Sequence, residues 1–531
     1  MQAMQTRTPF NLADAAAAQM KLEGFDLTPV TGGAEQLAHI LTGDLPADPL
    51  TREDLTDLPW SSIDNDTSRD LDQIEWAERL EDDSIRVRVG VADVAATVPK
   101  DSPIDQFAAR QTMTVYTAAR NFPMLPNELS TDRTSLNPGE RRRAMIAEFT
   151  VLPDGSMKDQ RIFAAYVQNT AQLAYSKVGP WLADAESVPA PSLHPDVLDQ
   201  LRLQDEAAQR LRKHRQEAGA LDFRRTESNP VVADGRVISL EDIGRNRAMD
   251  LIEDLMIAAN ETAARLLSQA HRSGLRRVVK SPERWQRIVD LVRSTSANLP
   301  QPVELPAEPT AKPLNDFLCQ ERKRDPDHYP DLALAIIKLM GAGEYVVVHA
   351  NDPYPPEHFA LAANDYAHST APNRRYPDLV TQRVLHAMFL NTAAPYTDDE
   401  LQAAADHTNE RDKAARKVER TTLKRAQAMA LASHIGQQYN AVVTGASSKG
   451  TFVRVLKPDV EGMLVHGWDG LDVGDRVRVK LVHTDPQRAF IDFVRVGFEQ
   501  GGEHAHGGGH GHNGEHARHD REHAGDHRHG R

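Results

Sequence analysis

The chain has 531 residues, of which 40% are hydrophobic and 26% are charged, and its formal net charge at pH 7 is −15. This length exceeds what one compact core holds, so we expect several domains, and the acidic balance argues against a protein that coats nucleic acid without specificity. The single cysteine, Cys319, excludes an intramolecular disulfide and a cysteine-based zinc site.

Hydropathy and the first residues predict where the protein acts. No window approaches the roughly 18 uninterrupted apolar residues that a membrane span needs. The opening stretch MQAMQTRTPF lacks the basic and apolar regions of a secretory signal. We therefore expect a cytoplasmic monomer with no membrane partner.

Residues 1–58 predict a small helical module followed by a linker. Two helical stretches, NLADAAAAQMKLEGF and EQLAHILT, are separated by TGG and followed by a segment rich in proline and aspartate. Two helices joined by a turn favour a unit of the helix-turn-helix type.

The pattern then changes to short strands with an acidic cluster between them. In SIRVRVGVAD apolar and polar residues alternate, which predicts a half-buried strand. Just before it, the stretch SIDNDTSRDLDQ places Asp64, Asp66, Asp70 and Asp72 within nine positions. Like charges at such short spacing repel each other, so the cluster needs a physical explanation.

Helices dominate from about residue 240 to 435. They include RNRAMDLIEDLMIAANETAARLL, YPDLVTQRVLHAMFL and a long helix from about Asp398 to Ile435. Residues 438–497 return to short strands with turn residues between them, which predicts a small five-stranded barrel. The last stretch, 498–531, is rich in glycine and histidine and has too few apolar residues for a core, so we expect a disordered tail that either binds a transition metal or aids solubility.

The acidic cluster has three interpretations. A calcium loop fits the spacing, but its sixth position requires glycine and is Arg69 here. An exposed acidic turn is a second interpretation, although Trp60 and Trp76 flank the cluster and suggest that the chain enters and leaves a packed region. The third is a magnesium site, in which Asp70 and Asp72 of an extended chain point to one side.

Four segments resemble successive blocks of one enzyme family. SIDNDTSRDLDQ, FPMLPNELSTDRTSLNPGERR, LIEDLMIAANETAARLL and YAHSTAPNRRYPDLVTQR follow one another in the order found in the ribonuclease II / ribonuclease R (RNB) exoribonucleases. The resemblance covers about residues 59–435 and implies a multidomain α+β fold with a mixed RNB catalytic domain there. An OB-fold RNA-binding domain at 436–497, similar to the ribosomal S-one type, follows as it does in the family.

The resemblance also implies an activity. Members of the family hydrolyse RNA processively from the 3′ end toward the 5′ end and release nucleoside 5′-monophosphates. We therefore expect Mg²⁺ as the cofactor, with Mn²⁺ as an alternative, and single-stranded RNA as the partner. Because the short helical module stands where the family typically has two cold-shock-type barrels, we expect a more open channel that admits RNA with duplex regions and a 3′ overhang.

The family motifs imply roles for individual residues of this sequence. The implied metal ligands are Asp64, Asp70 and Asp72, and the implied catalytic groups are Asp72, Arg374 and Glu419. The implied substrate contacts are Tyr116 and Phe223, which stack on the terminal base, Glu253 at the ribose, Arg375 at a neighbouring phosphate, and Tyr175 in the channel. Each has an ordinary alternative: core packing for the aromatic residues, a helix cap for Arg374 and a solvated helix face for Glu419.

One position departs from the family pattern. The family's fourth aspartate is Gln73 here, and a neutral amide binds Mg²⁺ more weakly than a carboxylate. Either Asp66 or Glu75 supplies the missing carboxylate, or substrate phosphate holds the second ion. A noncatalytic RNA-binding protein is therefore an alternative function. A deoxyribonuclease is a third, which Glu253 opposes because contact with the 2′-hydroxyl distinguishes RNA from DNA.

Overall fold

The computed structural model describes residues 10–43, 48–223, 227–233, 236–352, 356–363, 365–447 and 450–497. The predicted tail at 498–531 lies outside the described residues. Within these ranges no helix combines the length and the hydropathy needed to cross a membrane.

Two helices near the N-terminus confirm the predicted helical stretches. They are α1 (Leu12–Leu22) and α2 (Gly33–Leu41), and the Asn11 side chain caps α1 by accepting hydrogen bonds from two N–H groups of its first turn. Helix α1 buries Met20 in a cluster that also contains Val418, almost 400 positions later. The N-terminal helices therefore pack into the larger domain, and the likeness to a helix-turn-helix unit stays a prediction.

A six-stranded sheet forms the first part of the catalytic region. The elements here are β1 (Glu53–Asp54), β2 (Trp60–Asp64), β3 (Gln73–Arg79), β4 (Ile85–Ala92), α3 (Pro103–Gln111), β5 (Val115–Tyr116), β6 (Asn121–Phe122), β7 (Arg141–Val151) and β8 (Met157–Ala174). The sheet order is β1-β8-β2-β3-β4-β7, with β7 also paired to β8, while β5 and β6 form a separate short hairpin.

The strand predicted from SIRVRVGVAD is β4, and the core sits on its apolar face. Ile85, Val87 and Val89 are fully buried, as the alternation predicts. The acidic cluster lies between the end of β2 and the start of β3, which confirms that it connects two strands.

Helices dominate the next part of the chain, as predicted. The elements are α4 (Tyr175–Ala183), α5 (Pro195–Ala218), β9 (Glu227–Ala233), β10 (Arg236–Ile243), α6 (Arg247–Gln269), β11 (Gly274–Val278), α7 (Trp285–Ser296), α8 (Ala311–Arg324), α9 (Tyr329–Met340), β12 (Glu344–Val348), α10 (Tyr376–Phe389) and α11 (Asp398–Leu431). Pro377 occupies the first turn of α10, where its missing N–H has no intrahelical partner to lose. The long helix α11 ends four residues before the predicted Ile435.

The last five strands close into the predicted barrel. They are β13 (Gln438–Ser447), β14 (Gly450–Leu456), β15 (Asp459–His466), β16 (Arg476–Asp485) and β17 (Phe490–Arg495), in the order β13-β14-β15-β17-β16. Their inward residues form one apolar cluster with Leu431 at the end of α11, so the barrel packs directly on that helix.

Candidate active site

The acidic segment is fixed in place by a neighbouring serine. Ser135 accepts a hydrogen bond from the Leu71 N–H at 2.9 Å and donates its hydroxyl to the Arg69 carbonyl oxygen at 2.9 Å. Leu71 is buried, so the aspartates on either side of it are anchored to the core. At the other end of the segment, Asp64 accepts hydrogen bonds from the Ser68 hydroxyl at 3.0 Å and the Asn65 N–H at 2.7 Å.

Asp72 is the most deeply buried of the four aspartates, with 1% of its surface exposed. Its Oδ1 accepts a hydrogen bond from the Asn373 N–H at 2.9 Å, and its Oδ2 lies 3.0 Å from Arg374 Nε. Burial raises the pKa of Asp72 to about 7, although Arg374 and the Asn373 N–H oppose this, and the charge of Asp70 raises it further. The negative charge of Asp72 therefore depends on a nearby cation, which is Arg374 here.

Arg374 is electrostatically coupled to all three predicted metal ligands. Burial disfavours its charged form, but the negative charges of Asp72, Asp64 and Asp70 outweigh burial and raise the pKa of the guanidinium. Arg374 precedes α10, and the chain turns there because the Ala371 N–H donates to Asp378 at 2.8 Å. The fold thus brings Arg374 to an acidic segment that precedes it by about 300 positions in sequence.

Tyr116, on the short strand β5, stands at the edge of this cluster. Its hydroxyl donates to Asp70 Oδ2 at 2.5 Å, and 37% of its surface is exposed. Glu419 of α11 lies behind it: burial raises the pKa of this glutamate, and the Tyr116 N–H, which donates to its carboxylate, lowers it. The structure therefore places Glu419 at the backbone of Tyr116, so its contact supports the aromatic residue.

A polar cavity of about 240 Å³ opens beside the cluster. Gln73, Tyr175, Glu253, Arg374 and Arg375 line it, so four predicted site residues share one cavity with the residue that departs from the family pattern. The remaining lining residues come from α6 and the segment before α10, namely Ile252, Met256, Ile257, Asn260, Leu361, Tyr366 and Thr370.

Two of the predicted substrate contacts already have strong partners. Arg375 donates to both oxygens of Asp378, at 2.9 and 2.7 Å, and Asp378 is fully buried. Glu253 pairs with Arg245 and, at 3.4 Å, with Arg212. Both guanidinium groups contact the same carboxylate oxygen, so Glu253 is already paired with cations in the absence of RNA.

Phe223 is placed away from Tyr116. It packs against the apolar cluster of α7, α8 and α9, which contains Trp285 and Phe317. Among the described residues no ring contact joins it to Tyr116, so its contacts match the core-packing alternative, and its stacking role stays a prediction.

The donor set fits a hard divalent cation in its chemistry. All three predicted ligands offer carboxylate oxygens, which Mg²⁺ and Mn²⁺ prefer, and the buried Asp72 Oδ2 accepts no hydrogen bond within the described ranges. As these side chains are placed, no three His, Cys, Asp or Glu residues of the described chain are grouped closely enough to hold a metal. Asp72 is turned toward Arg374 and Asp70 toward Tyr116 instead.

A second groove, of about 840 Å³, lies between the barrel and helices α9 and α11. Arg420, Lys424 and Arg488 line it together with Phe452 and Phe490, and 49% of the Phe490 surface is exposed. Cations beside exposed aromatic rings suit the backbone and bases of a single strand. The lining also includes Arg454 and four carboxylates, so the groove is mixed in charge; these are Asp331, Asp459, Glu461 and Asp492.

Sequence reasoning missed several residues that shape the site. Asp378 holds Arg375, and Asn373 donates its N–H to Asp72. The contact between Asp378 and Arg375 could have been predicted, because residues three apart at the start of a helix face each other. The second is a backbone contact across about 300 positions and has no signal in composition or periodicity.

Two family models match the chain. The RNB domain model matches residues 52–391, well over half of the chain, and the model of the RNase II-type exonuclease C-terminal S1 domain matches residues 437–496. The chain belongs to the RNB family of ribonuclease II and ribonuclease R. The second match covers the closed barrel, so the RNB fold and its S1-type barrel are both as predicted.

Curated relatives of this RNB chain are ribonucleases R. It is 28% identical to Ribonuclease R of Mycoplasma pneumoniae over 423 residues, which is 78% of this chain and 56% of the relative. It is 29% identical to Ribonuclease R of Escherichia coli over 484 residues, which is 85% of this chain and 58% of the relative. The RNB chain thus spans little more than half the length of these relatives.

Solved structures share the fold. The apo form of Mycoplasma genitalium RNase R matches with a TM-score of 0.79 and 23% identity, over 92% of this chain and 78% of that one. The same enzyme in complex with double-stranded RNA matches with the same TM-score, over 83% of that chain. Yeast Ssd1, described as a pseudonuclease, matches with a TM-score of 0.65 and 16% identity, over 89% of this chain and 57% of that one. The RNB fold by itself therefore does not decide whether a chain is catalytic.

Proposed function

We propose that this RNB protein is a hydrolytic exoribonuclease that degrades RNA from its 3′ end with divalent metal ions. One observation supports it most: Arg374 lies 3.0 Å from the buried Asp72, is electrostatically coupled to Asp64 and Asp70, and lines a polar cavity. The ribonuclease R relatives, together with the RNA complexes of the Mycoplasma genitalium enzyme, support RNA as the substrate.

In the proposed reaction, the chain's residues bind and orient the last phosphodiester. The Arg374 guanidinium donates to the scissile phosphate and stabilises the negative charge that develops there. Because its partner without RNA is Asp72, substrate binding exchanges one anionic partner for another and leaves the Asp72 carboxylate free to bind a cation. Asp64, Asp70 and Asp72 would hold Mg²⁺ or Mn²⁺, and such an ion would supply a nucleophile from water and stabilise the leaving oxygen.

The product follows from which bond breaks. Water attacks phosphorus and the bond to the 3′ oxygen breaks, so each turnover releases a nucleoside 5′-monophosphate and leaves a new 3′-hydroxyl on the shortened strand. Tyr116 stacks on the terminal base, and Glu253 accepts a hydrogen bond from a ribose hydroxyl in the cavity. Contacts to backbone and ribose, made without reading base edges, suit an enzyme that moves along any sequence.

The experiment that tests this uses full-length protein and single-stranded RNA labelled at its 5′ end. With Mg²⁺ or Mn²⁺ we expect release of mononucleotides and a ladder that shortens from the 3′ end. Asp72→Asn keeps the shape of the side chain and is expected to bind RNA while losing cleavage. Tight binding without products from the unaltered chain would instead establish the noncatalytic alternative.

A second assay tests tolerance of structured RNA. We propose that a duplex with a 3′ overhang is degraded into the paired region. Stalling several nucleotides before the duplex would contradict this part of the proposal, and equal turnover of a matched DNA strand would contradict the preference for RNA.

A further inference from the structure

Two adjacent hydroxyl groups, those of Thr134 and Ser135, lie between the two parts of the candidate active site. Both side chains are buried. They follow a π-helical turn, Leu129–Arg133, and the Thr134 N–H donates to the Leu129 carbonyl oxygen, five residues earlier, at 2.9 Å. Turns of this kind are rare and occur frequently at functional sites. The contacts of the two hydroxyls show what this turn positions.

The Ser135 hydroxyl holds the acidic segment, residues 64–72. It accepts a hydrogen bond from the Leu71 N–H at 2.9 Å and donates to the Arg69 carbonyl oxygen at 2.9 Å. The next residue adds a backbone contact, because the Leu136 N–H donates to the Leu71 carbonyl oxygen at 3.0 Å. Leu71 is therefore held through both its N–H and its C=O, which fixes the backbone beside the most deeply buried aspartate.

The Thr134 hydroxyl holds the arginine segment, residues 371–375. It donates to Asn373 Oδ1 at 2.6 Å and has the Leu129 carbonyl oxygen, at 2.8 Å, as a second acceptor. Asn373 is fully buried and directly precedes Arg374. Two consecutive residues thus hold two segments that lie about 300 positions apart in sequence.

Asp72 also links the two segments, but its contacts involve charge. Its carboxylate accepts from the Asn373 N–H at 2.9 Å and pairs with Arg374 at 3.0 Å. In the proposed reaction Arg374 exchanges Asp72 for the scissile phosphate, so this link weakens when the substrate arrives. The Thr134 and Ser135 hydroxyls bond to backbone groups and to a neutral amide instead. They can therefore hold the two segments together while the charged partners change.

We propose that Thr134 and Ser135 form a hydroxyl bridge that positions Arg374 for the scissile phosphate by fixing the arginine segment relative to the acidic segment. The inference rests on the proposed exoribonuclease function and deepens it, because it assigns two positioning residues to the reaction. Such residues matter for rate, since a catalytic group misplaced by about 1 Å can slow a reaction by about 100-fold.

A purely structural role for the two hydroxyls makes a different prediction. If they only satisfy buried polar groups, their removal lowers stability and leaves the kcat of the folded protein unchanged. If they position Arg374, kcat falls while KM and RNA affinity are retained, because Arg374 acts mainly on the transition state.

The kinetic test begins with Thr134→Val, which keeps the shape of the side chain and removes the hydroxyl. It is expected to lower kcat by about 10- to 100-fold and to retain affinity for a nonhydrolysable oligoribonucleotide. Thr134→Ser keeps the hydroxyl and should retain kcat. Thr262→Val is the matched control, because the buried Thr262 hydroxyl also contacts a carbonyl oxygen and a side-chain amide, those of Ala258 at 2.8 Å and Gln160 at 3.2 Å.

A second variant breaks the same contact from the other side. Thr134→Val leaves the buried Asn373 amide without this partner, which can impair folding. Asn373→Ala keeps the backbone N–H for Asp72 and leaves the Thr134 hydroxyl its second acceptor at Leu129. The same fall in kcat is expected. In an Arg374→Ala background neither substitution should lower the residual rate further, and an undiminished fall there would overturn the proposal.

Amide hydrogen exchange in the RNA-free protein tests the bridge without any activity. Peptides that cover 371–375 are expected to exchange about tenfold faster in Thr134→Val and Asn373→Ala than in the unaltered chain. A loss of stability without this local change, with kcat as in Thr262→Val, would establish the structural role and overturn the proposal.

The same measurement tests the Ser135 half of the bridge. Ser135→Ala should speed exchange in peptides that cover residues 69–72. Ser296→Ala is the matched control, because the fully buried Ser296 hydroxyl accepts from the Val303 N–H at 2.9 Å and donates to the Arg293 carbonyl oxygen at 3.4 Å. Exchange at 69–72 that is as slow in Ser135→Ala as in Ser296→Ala would contradict this half.

The outcome is separable from that of the proposed function. If the unaltered chain releases no nucleotides but the Thr134 and Ser135 variants exchange faster, then the bridge between the segments stands and the exoribonuclease does not. If the chain degrades RNA while these variants match their controls in kcat and exchange, then the function stands and the bridge does not.

Discussion

Tyr116 donates its hydroxyl to Asp70 over 2.5 Å while more than a third of its surface remains exposed. One side chain therefore offers an open ring to an incoming base and orients a predicted metal ligand. A single hydrogen bond in this way couples the position of the terminal RNA base to the position of the acidic cluster.

Two substitutions separate the functions of ring and hydroxyl. Tyr116→Ala is expected to weaken binding of a short oligoribonucleotide by about 1–3 kcal/mol, because it removes the stacking surface. Tyr116→Phe keeps the ring and should retain that affinity while lowering kcat, since Asp70 loses its donor. Fluorescence anisotropy and single-turnover cleavage measure the two effects.

The control for Tyr116→Phe is Tyr439→Phe, which also removes one hydroxyl, bonded to Gln437 at 3.1 Å on the barrel. It should change neither affinity nor kcat. Equal losses of affinity in the two Tyr116 variants would contradict a stacking role for the ring.

Arg374 is expected to act on the transition state more than on RNA binding. Arg374→Ala and Arg374→Lys should each lower kcat by about 10²–10³, because an ammonium group does not reproduce the fixed fork of the guanidinium. Arg265→Lys is the matched control: Arg265 is exposed and donates to Gln160 at 2.6 Å. Cleavage by Arg374→Lys at the normal rate would exclude direct contact with the scissile phosphate.

The N-terminal segment should stabilise the strand that carries Tyr116 through Phe25, three residues after the end of α1. Phe25 is 3% exposed and packs in the same cluster as Val115, the residue before Tyr116, and as Val418 of α11. Phe25→Ala is expected to lower the free energy of unfolding by about 3–5 kcal/mol. It should also weaken binding of the RNA 3′ end, because Val115 precedes Tyr116. If this packing does not position Tyr116, RNA binding should stay unchanged.

Leu22→Ala provides the comparison within α1, because 76% of the Leu22 surface is exposed. Its effect on the free energy of unfolding should stay within about 0.5 kcal/mol. Chemical denaturation of both variants, with anisotropy on the same oligoribonucleotide, measures the two properties side by side.

Much of the fold could be predicted because its signals are local. The alternation in β4, Pro377 in the first turn of α10 and the turn residues between the barrel strands each lie within one short window. The meeting of Asp72 with Arg374 spans about 300 positions, and only the resemblance to known motifs predicted it.

Contacts between distant elements without a motif were not predictable. Nothing in α1 indicates that it packs on α11, since an amphipathic helix does not specify its partner. Glu419 fits both a catalytic role and a surface helix in sequence, and its contact with the Tyr116 N–H is seen only in three dimensions. The burial of Glu75 is equally invisible, because a charged residue in a strand usually faces water.

Glu261 should make stability depend on pH near neutrality. Burial raises the pKa of this glutamate of α6 from 4.5 to about 7, although Arg215 opposes it. The folded state therefore binds the proton more tightly than the unfolded chain does. Its contribution to stability is fully present below pH 4.5 and is lost as the pH rises through 7, since the ionised form is then confined in poorly hydrated surroundings.

Glu261→Gln removes this titration while keeping the size of the side chain. The gain in the free energy of unfolding over the unaltered chain should grow from near zero at pH 4.5 to about 2–3 kcal/mol at pH 8. Urea unfolding at four pH values measures it, with the exposed Glu308→Gln as the control. A difference that is constant across this range would show that Glu261 ionises equally well in the folded and unfolded chain.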